Sequence, residues 1–270
     1  MIVALHHLQR FVATIGRASL RETKKLTDLT AVAVAVLLHS LRRRTWARTV
    51  REALSTQIVV SGANAALFTA GVAFLAGLLI VVQAQFWSHR VGQSRFLGPL
   101  LVTVIIRELG PLLANLIVIG RSGSGTAVEL ANMKVTRQVH ALDSLGLDPF
   151  IYLVLPRVLG ICISIFCLSI LVIAVALLGG YISAAVLGVG GVGTLQDFLA
   201  VVARSVHSRD VINLLLKTLL PGLLAGIICC TEGLAAESPA EIPMVSTRGV
   251  QRSVGILFLI TSVVSVFTYL

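Results

Sequence analysis

Polar and apolar positions alternate here on the scale of membrane thickness. From Ala53 to Ser88 no residue is charged, which makes 36 positions, or about 54 Å as a straight helix at about 1.5 Å per residue. The hydrocarbon core needs only about 20 residues. The pattern therefore predicts a first span over 62–86, preceded by an elbow, with Phe86 and Trp87 at an aromatic interface belt. Further apolar stretches predict spans at 96–120, 158–181, 211–231 and 253–270, the third broken at Gly179–Gly180. Ahead of them, Ile2, Leu5, Leu8, Val12 and Ile15 recur at helical spacing, and 29–38 is apolar but too short to cross. Both read as helices lying in the membrane interface. The fold class is all-α and integral to the membrane: a basic region over 1–52 and a five-span domain over 53–270.

Composition supports this sorting. Apolar residues make up 56% of the chain and charged residues 13%, with a mean hydropathy of +0.95. A soluble domain carries roughly a quarter charged residues. The net charge of +10 is concentrated at one end, because ten of the 22 Lys and Arg lie within 1–52. That placement fits an anionic membrane surface and not a nucleic acid. With five spans and an inside N-terminus, 16 of the 22 fall on inside segments and four in outside loops, which puts 121–157 in the cytoplasm. Cys162, Cys167, Cys229 and Cys230 sit in apolar runs, with neither disulfide nor zinc spacing. No secretory signal peptide is evident at the N-terminus.

Within the second span, Arg107 and Glu108 stand near the bilayer midplane. A charge there costs about 2.5–3.5 kcal/mol or more, so each must face protein or a polar cavity. Neighbours on a helix point about 100° apart, so the two need separate partners. Lys217 on the fourth span is the candidate for Glu108. Two readings stand: a polar spot in a substrate path, such as a headgroup site, or an ion pair that fastens helices.

GRSGSGT (Gly120 to Thr126) has the glycine spacing of a phosphate loop without its lysine, and Gly188 to Gly193 follows a membrane helix. Both read as plain loops, so any ATP is hydrolysed by a partner. Thr126 to Leu145 reads as an amphipathic cytoplasmic helix. Its apolar stripe is Val128, Ala131, Val135, Val139, Leu142 and Leu145, and its polar face is Glu129, Asn132, Thr136, His140 and Asp143. Such a helix suits a docking partner, the membrane surface or its own bundle. Gly222 and Gly226 form a GxxxG pair that allows close helix contact or dimerisation. The six histidines are scattered and no nucleophile elbow occurs, so the sequence points to no catalytic residues, no metal and no cofactor.

RELGP (Arg107 to Pro111), GRSGSGTAVELANMKVTRQV (Gly120 to Val139) and the stretch from Leu145 through Asp148-Pro149 to Arg157 resemble the MCE-associated, MlaE-type permeases of bacterial lipid ABC transporters. The likeness covers about residues 55–265. It implies a homodimer in the inner membrane that carries phospholipid between that membrane and a periplasmic MCE-domain protein, maintaining outer-membrane lipid asymmetry. It also implies a cytoplasmic ABC ATPase meeting a coupling helix at about 126–145. By position it carries over Arg107, Glu108 and Lys217 as polar residues of the lipid path. Leu78, Val81 and Val82 of the first span are expected to meet acyl chains. Glu129, Met133 and Arg137, at i, i+4 and i+8, are expected on one side of the coupling helix. The chain departs from the family pattern at Arg137, where glutamate is usual, and at Thr261, where an aspartate is often found. An ion-coupled secondary transporter using Glu108 and Lys217 as a proton relay is the alternative.

Overall fold

The computed structural model describes residues 29–42, 46–91, 102–187 and 195–269. The expected interfacial helix over 2–15 and the glycine loop over 188–193 lie outside the described residues. The chain divides into two compact units, Met1–Thr45 and Trp46–Leu270. In the first, one apolar helix is described, Leu29–Leu41, shorter than a bilayer crossing.

The second unit is a bundle of five helices long and apolar enough to span a membrane. They are Arg48–Ala84, Thr103–Val135, Phe150–Val186, Ser208–Leu234 and Pro239–Thr268, hereafter the first to fifth spans. No strand occurs among the described residues. This all-helical form follows from the solvent, because in hydrocarbon each backbone N–H and C=O must be satisfied within its own helix.

The third span is the centre of the packing. One face meets the first span through Ala65, Ala73, Ile161, Ile165, Leu168 and Val172, and the second span joins this cluster through Ala114 and Val118. Towards one end Val81, Ile105, Ala176 and Leu177 form a second cluster. The fourth and fifth spans close the other side, where Ile119, Ala225 and Leu257 meet.

Glycine placement bears on three expectations. Gly179 and Gly180 do not break the third span; its helix runs through them to Leu187. A Cβ at Gly179 would stand 2.5 Å from the Phe74 carbonyl, and one at Gly180 would collide with Val81. These glycines, with Gly77 opposite Ala176, let the first and third spans approach at backbone distance. Second, Gly222 and Gly226 face Cys162 and Val158 of the third span, so the GxxxG pair makes the close helix contact its spacing allows within the subunit. Third, the serine and glycine run after Gly120 is no loop. It forms a π-helical turn, Ile119–Gly123, and continues as helix Ser124–Val135. The Ser124 hydroxyl donates back to the carbonyls of Gly120 (2.6 Å) and Arg121 (2.9 Å), and Gly123 makes room for Cys229.

The anticipated single helix over 126–145 is two helices. Ser124–Val135 is an extension of the second span, with Thr126, Ala127, Leu130 and Ala131 buried. Ala127 and Leu130 lie against Gly233 of the fourth span. Ala131 packs with Ala236 and Val245. Arg137 then takes a left-handed conformation, φ 61°, and a second helix, Gln138–Ser144, buries nothing. The break turns Arg137 away from the stripe carrying Glu129 and Met133, so the three do not share one helical side.

Candidate polar site between the second and fourth spans

The second span is π-helical from Val102 to Leu109, around the two charged residues. π-turns are rare, and often found where a helix carries function. The wider turn ends at Gly110-Pro111, and proline has no N–H to return to the carbonyl four residues back. For Pro111 that carbonyl belongs to Arg107. Lys217 Nζ donates to it across the bundle at 3.1 Å.

The fourth span repeats the device. Pro221 lies inside its helix and leaves the Lys217 carbonyl without its usual donor. Asn115 Nδ2 supplies one at 3.1 Å and also donates to the Pro111 carbonyl at 2.8 Å. Two proline-freed carbonyls are thus satisfied by two side chains from the opposite helix, which fixes the register of the second span against the fourth. In hydrocarbon such cross-helix repair is what makes a buried proline tolerable.

Arg107 and Glu108 both have partners on the fourth span. Glu108 Oε1 lies 2.6 Å from Lys217 Nζ, whose side chain is wholly enclosed, while about a third of the Glu108 side chain is open. Ser265 of the fifth span accepts from Lys217 at 2.7 Å and donates to Glu108 at 3.1 Å. Arg107 Nε stands 2.5 Å from Asp210 Oδ1. The other Asp210 oxygen accepts the His207 backbone N–H at 2.8 Å and so starts the fourth helix. Two cations and two carboxylates balance within this network. No acid is therefore required on the fifth span: Thr261 is buried there, and Ser265, one turn further on, supplies a neutral hydroxyl.

Asp210, Asn213 and Lys217 form one stripe at i, i+3 and i+7. Along one flank of it is an almost entirely apolar cavity of about 540 Å³. Ile106, Ile173 and Leu177 line it with Leu199, Asp210 and Leu214. Of the first-span residues expected to meet acyl chains, Leu78 and Val82 are half-buried. Val81 is buried against Gly180, in the packing between the first and third spans. None of the three lines this cavity.

At the far end of the second span, Glu129 Oε1 takes a 2.6 Å ion pair from Arg157 Nη2 of the third span, and Met133 Sδ lies 3.8 Å from the same nitrogen. Arg137 is exposed beyond the break. Asp210, Asn115 and Ser265 were not singled out from sequence. Asp210 carried a usable signal, since it lies seven residues before Lys217 and so on the same helical face.

The permease MlaE family model matches residues 54–267. A probable ABC transporter permease protein of Rickettsia typhi is 33% identical over 181 residues, covering 66% of this chain and 67% of that one. One of Synechocystis sp. is 31% identical over 207 residues, 76% of each chain. The chloroplastic protein Trigalactosyldiacylglycerol 1 of Arabidopsis thaliana is 28% identical over 195 residues, 72% of this chain and 55% of that protein. A five-span bundle matched almost from end to end by that model settles the family: the chain belongs to the MlaE permeases and is a multi-pass membrane permease subunit of the ABC transporter type.

Proposed function

We propose that the chain moves phospholipid or a related lipid between the bacterial inner membrane and periplasmic MCE-protein carriers, maintaining outer-membrane lipid asymmetry. One observation carries the reading. A charge-balanced network, Arg107–Asp210 and Glu108–Lys217, stands inside an apolar bundle beside an apolar cavity. That juxtaposition suits an amphiphile, whose charged end needs polar partners and whose chains need apolar wall. The Arabidopsis relative is named for a diacylglycerol lipid, which supports the same substrate class.

In this reading Arg107, Glu108 and Lys217 tolerate the headgroup as it passes, and half-buried Leu78 and Val82 meet acyl chains. ATP is hydrolysed by a separate cytoplasmic ABC ATPase that docks where the second span ends. Glu129, Met133, Arg137 and the uncovered helix Gln138–Ser144, with Leu145 exposed beside it, form that surface. Two copies of the chain enclose the lipid path. The first and fifth spans supply the contact: only 28% and 17% of their apolar windows are buried within one subunit, against 50% in the third and fourth.

Native affinity purification in mild detergent, with mass spectrometry of proteins and lipids, tests the assignment. The expected result is one ATPase per permease, an MCE-domain protein and co-purifying phospholipid. A chain that purifies without an ATPase, and whose transport collapses with the proton gradient, contradicts it.

A further inference from the structure

The other flank of the fourth-span stripe holds a second cavity, of about 470 Å³, between the fourth and fifth spans. Leu216, Leu220 and Val264 give it apolar wall, and Arg209, Asn213 and Thr268 give it polar groups at one end. Asn213 is the unusual member. It is 2% exposed, yet neither its Nδ2 nor its Oδ1 has a hydrogen-bond partner in the protein. A buried amide left unpaired is expensive, and a position of this kind calls for an explanation. Every other polar residue of the stripe is used: Asp210 by Arg107 and His207, Lys217 by Glu108, Ser265 and the Arg107 carbonyl.

We propose that Asn213 and Arg209 form a headgroup subsite that selects phospholipids carrying a hydrogen-bond donor next to the phosphate. Asn213 presents two N–H donors and one carbonyl acceptor. Exposed Arg209 makes no ion pair among the described residues and brings a guanidinium to the mouth of the same cavity. A phosphate oxygen accepts from Arg209 and from Asn213 Nδ2. The Asn213 carbonyl then requires a donor from the headgroup, which the ammonium of phosphatidylethanolamine or the hydroxyls of phosphatidylglycerol supply. The quaternary ammonium of phosphatidylcholine has no N–H to give. Leu216, Leu220 and Val264 receive the start of an acyl chain. This inference rests on the lipid-permease reading and specifies its substrate.

The test is lipid retention by the full chain with its co-purifying subunits, in nanodiscs of equal parts phosphatidylethanolamine, phosphatidylglycerol and phosphatidylcholine, read by native mass spectrometry. Wild type is expected to retain the two donor-bearing lipids about threefold to tenfold over phosphatidylcholine, the size of one hydrogen bond. Asn213→Leu keeps the number and branching of the heavy atoms and removes both polar atoms. It is expected to retain lipid with that preference lost and with an unfolding temperature no lower than wild type. Arg209→Gln is expected to lower phosphatidylglycerol, the lipid with net negative charge, relative to phosphatidylethanolamine. Wild type that holds lipid without headgroup preference, or Asn213→Leu that keeps the preference, overturns the subsite and leaves the permease reading intact. Wild type that holds no phospholipid overturns both. If Asn213→Leu does not assemble, an unchanged lipid ratio in Arg209→Gln overturns the subsite, and a lowered one supports it.

Discussion

Three ion pairs tie the second span to its neighbours, and two of them differ in setting. Glu108–Lys217 lies inside the bundle, with the lysine wholly enclosed and held also by Ser265 and the Arg107 carbonyl. Glu129–Arg157 has a similar 2.6 Å separation at the helix end, with the Glu129 side chain 57% exposed and Arg157 12% exposed. Distance alone does not rank them. Loss of Glu108 strands a lysine that is wholly enclosed, whereas at the helix end water reaches the glutamate and replaces part of the lost contact. The inner pair is therefore interdependent with its surroundings, and the outer one is replaceable, which suits a surface that exchanges partners.

The largest effect is expected from Glu108→Gln, which leaves the wholly enclosed Lys217 without its counter-charge. A loss of about 3 kcal/mol or more is expected in detergent unfolding, with much of it recovered in Glu108→Gln/Lys217→Met. Equal loss in the double variant would break the claim of interdependence. Next comes Asn115→Leu, which removes the donor for the carbonyls of Pro111 and Lys217. Its expected cost is about 1–3 kcal/mol. Adding Pro221→Ala, which returns an N–H to the Lys217 carbonyl, should recover part of it. Glu129→Gln should cost about 0–1 kcal/mol, a difference that shrinks as salt is raised. A large, salt-independent loss there would erase the contrast. The smallest change is Arg137→Gly, which removes the left-handed strain of a residue with a Cβ. It should stabilise by up to about 1 kcal/mol, after the glycine's own entropy cost. A destabilised Arg137→Gly would mean that the Arg137 side chain holds the turn.

The same contrast explains what could be read from the sequence. Charges inside apolar runs stand out, so Arg107, Glu108 and Lys217 were legible, as was the number of spans. Asp210 was less so, because it lies beside Arg209 at a span end, where charges are ordinary, and its one signal was the seven-residue spacing to Lys217; its pairing with Arg107 is visible in the fold. Glycine misled in the other direction. Gly120, Gly123, Gly179 and Gly180 read as breakers by the rules for water-soluble chains, but in this bundle they lie within continuous helices. Gly179, Gly180 and Gly123 do so as contact points where a side chain would not fit. Cross-helix proline repair was illegible for a related reason. The missing N–H is local, but its compensation by Lys217 and Asn115 comes from about a hundred residues away. The helix 126–145 failed at a single φ, because Arg137 carries no glycine to announce the turn.

The central claim is that the midplane network belongs to a lipid path and does not merely fasten helices. The direct measurement is ATP-dependent transfer of labelled phospholipid between liposomes and the MCE carrier by the reconstituted complex. Wild type is compared with Glu108→Gln/Lys217→Met, each confirmed to be assembled with its ATPase. Loss of transfer with ATP hydrolysis retained is the predicted result. Transfer at the wild-type rate would make the network a fastening alone and contradict the account.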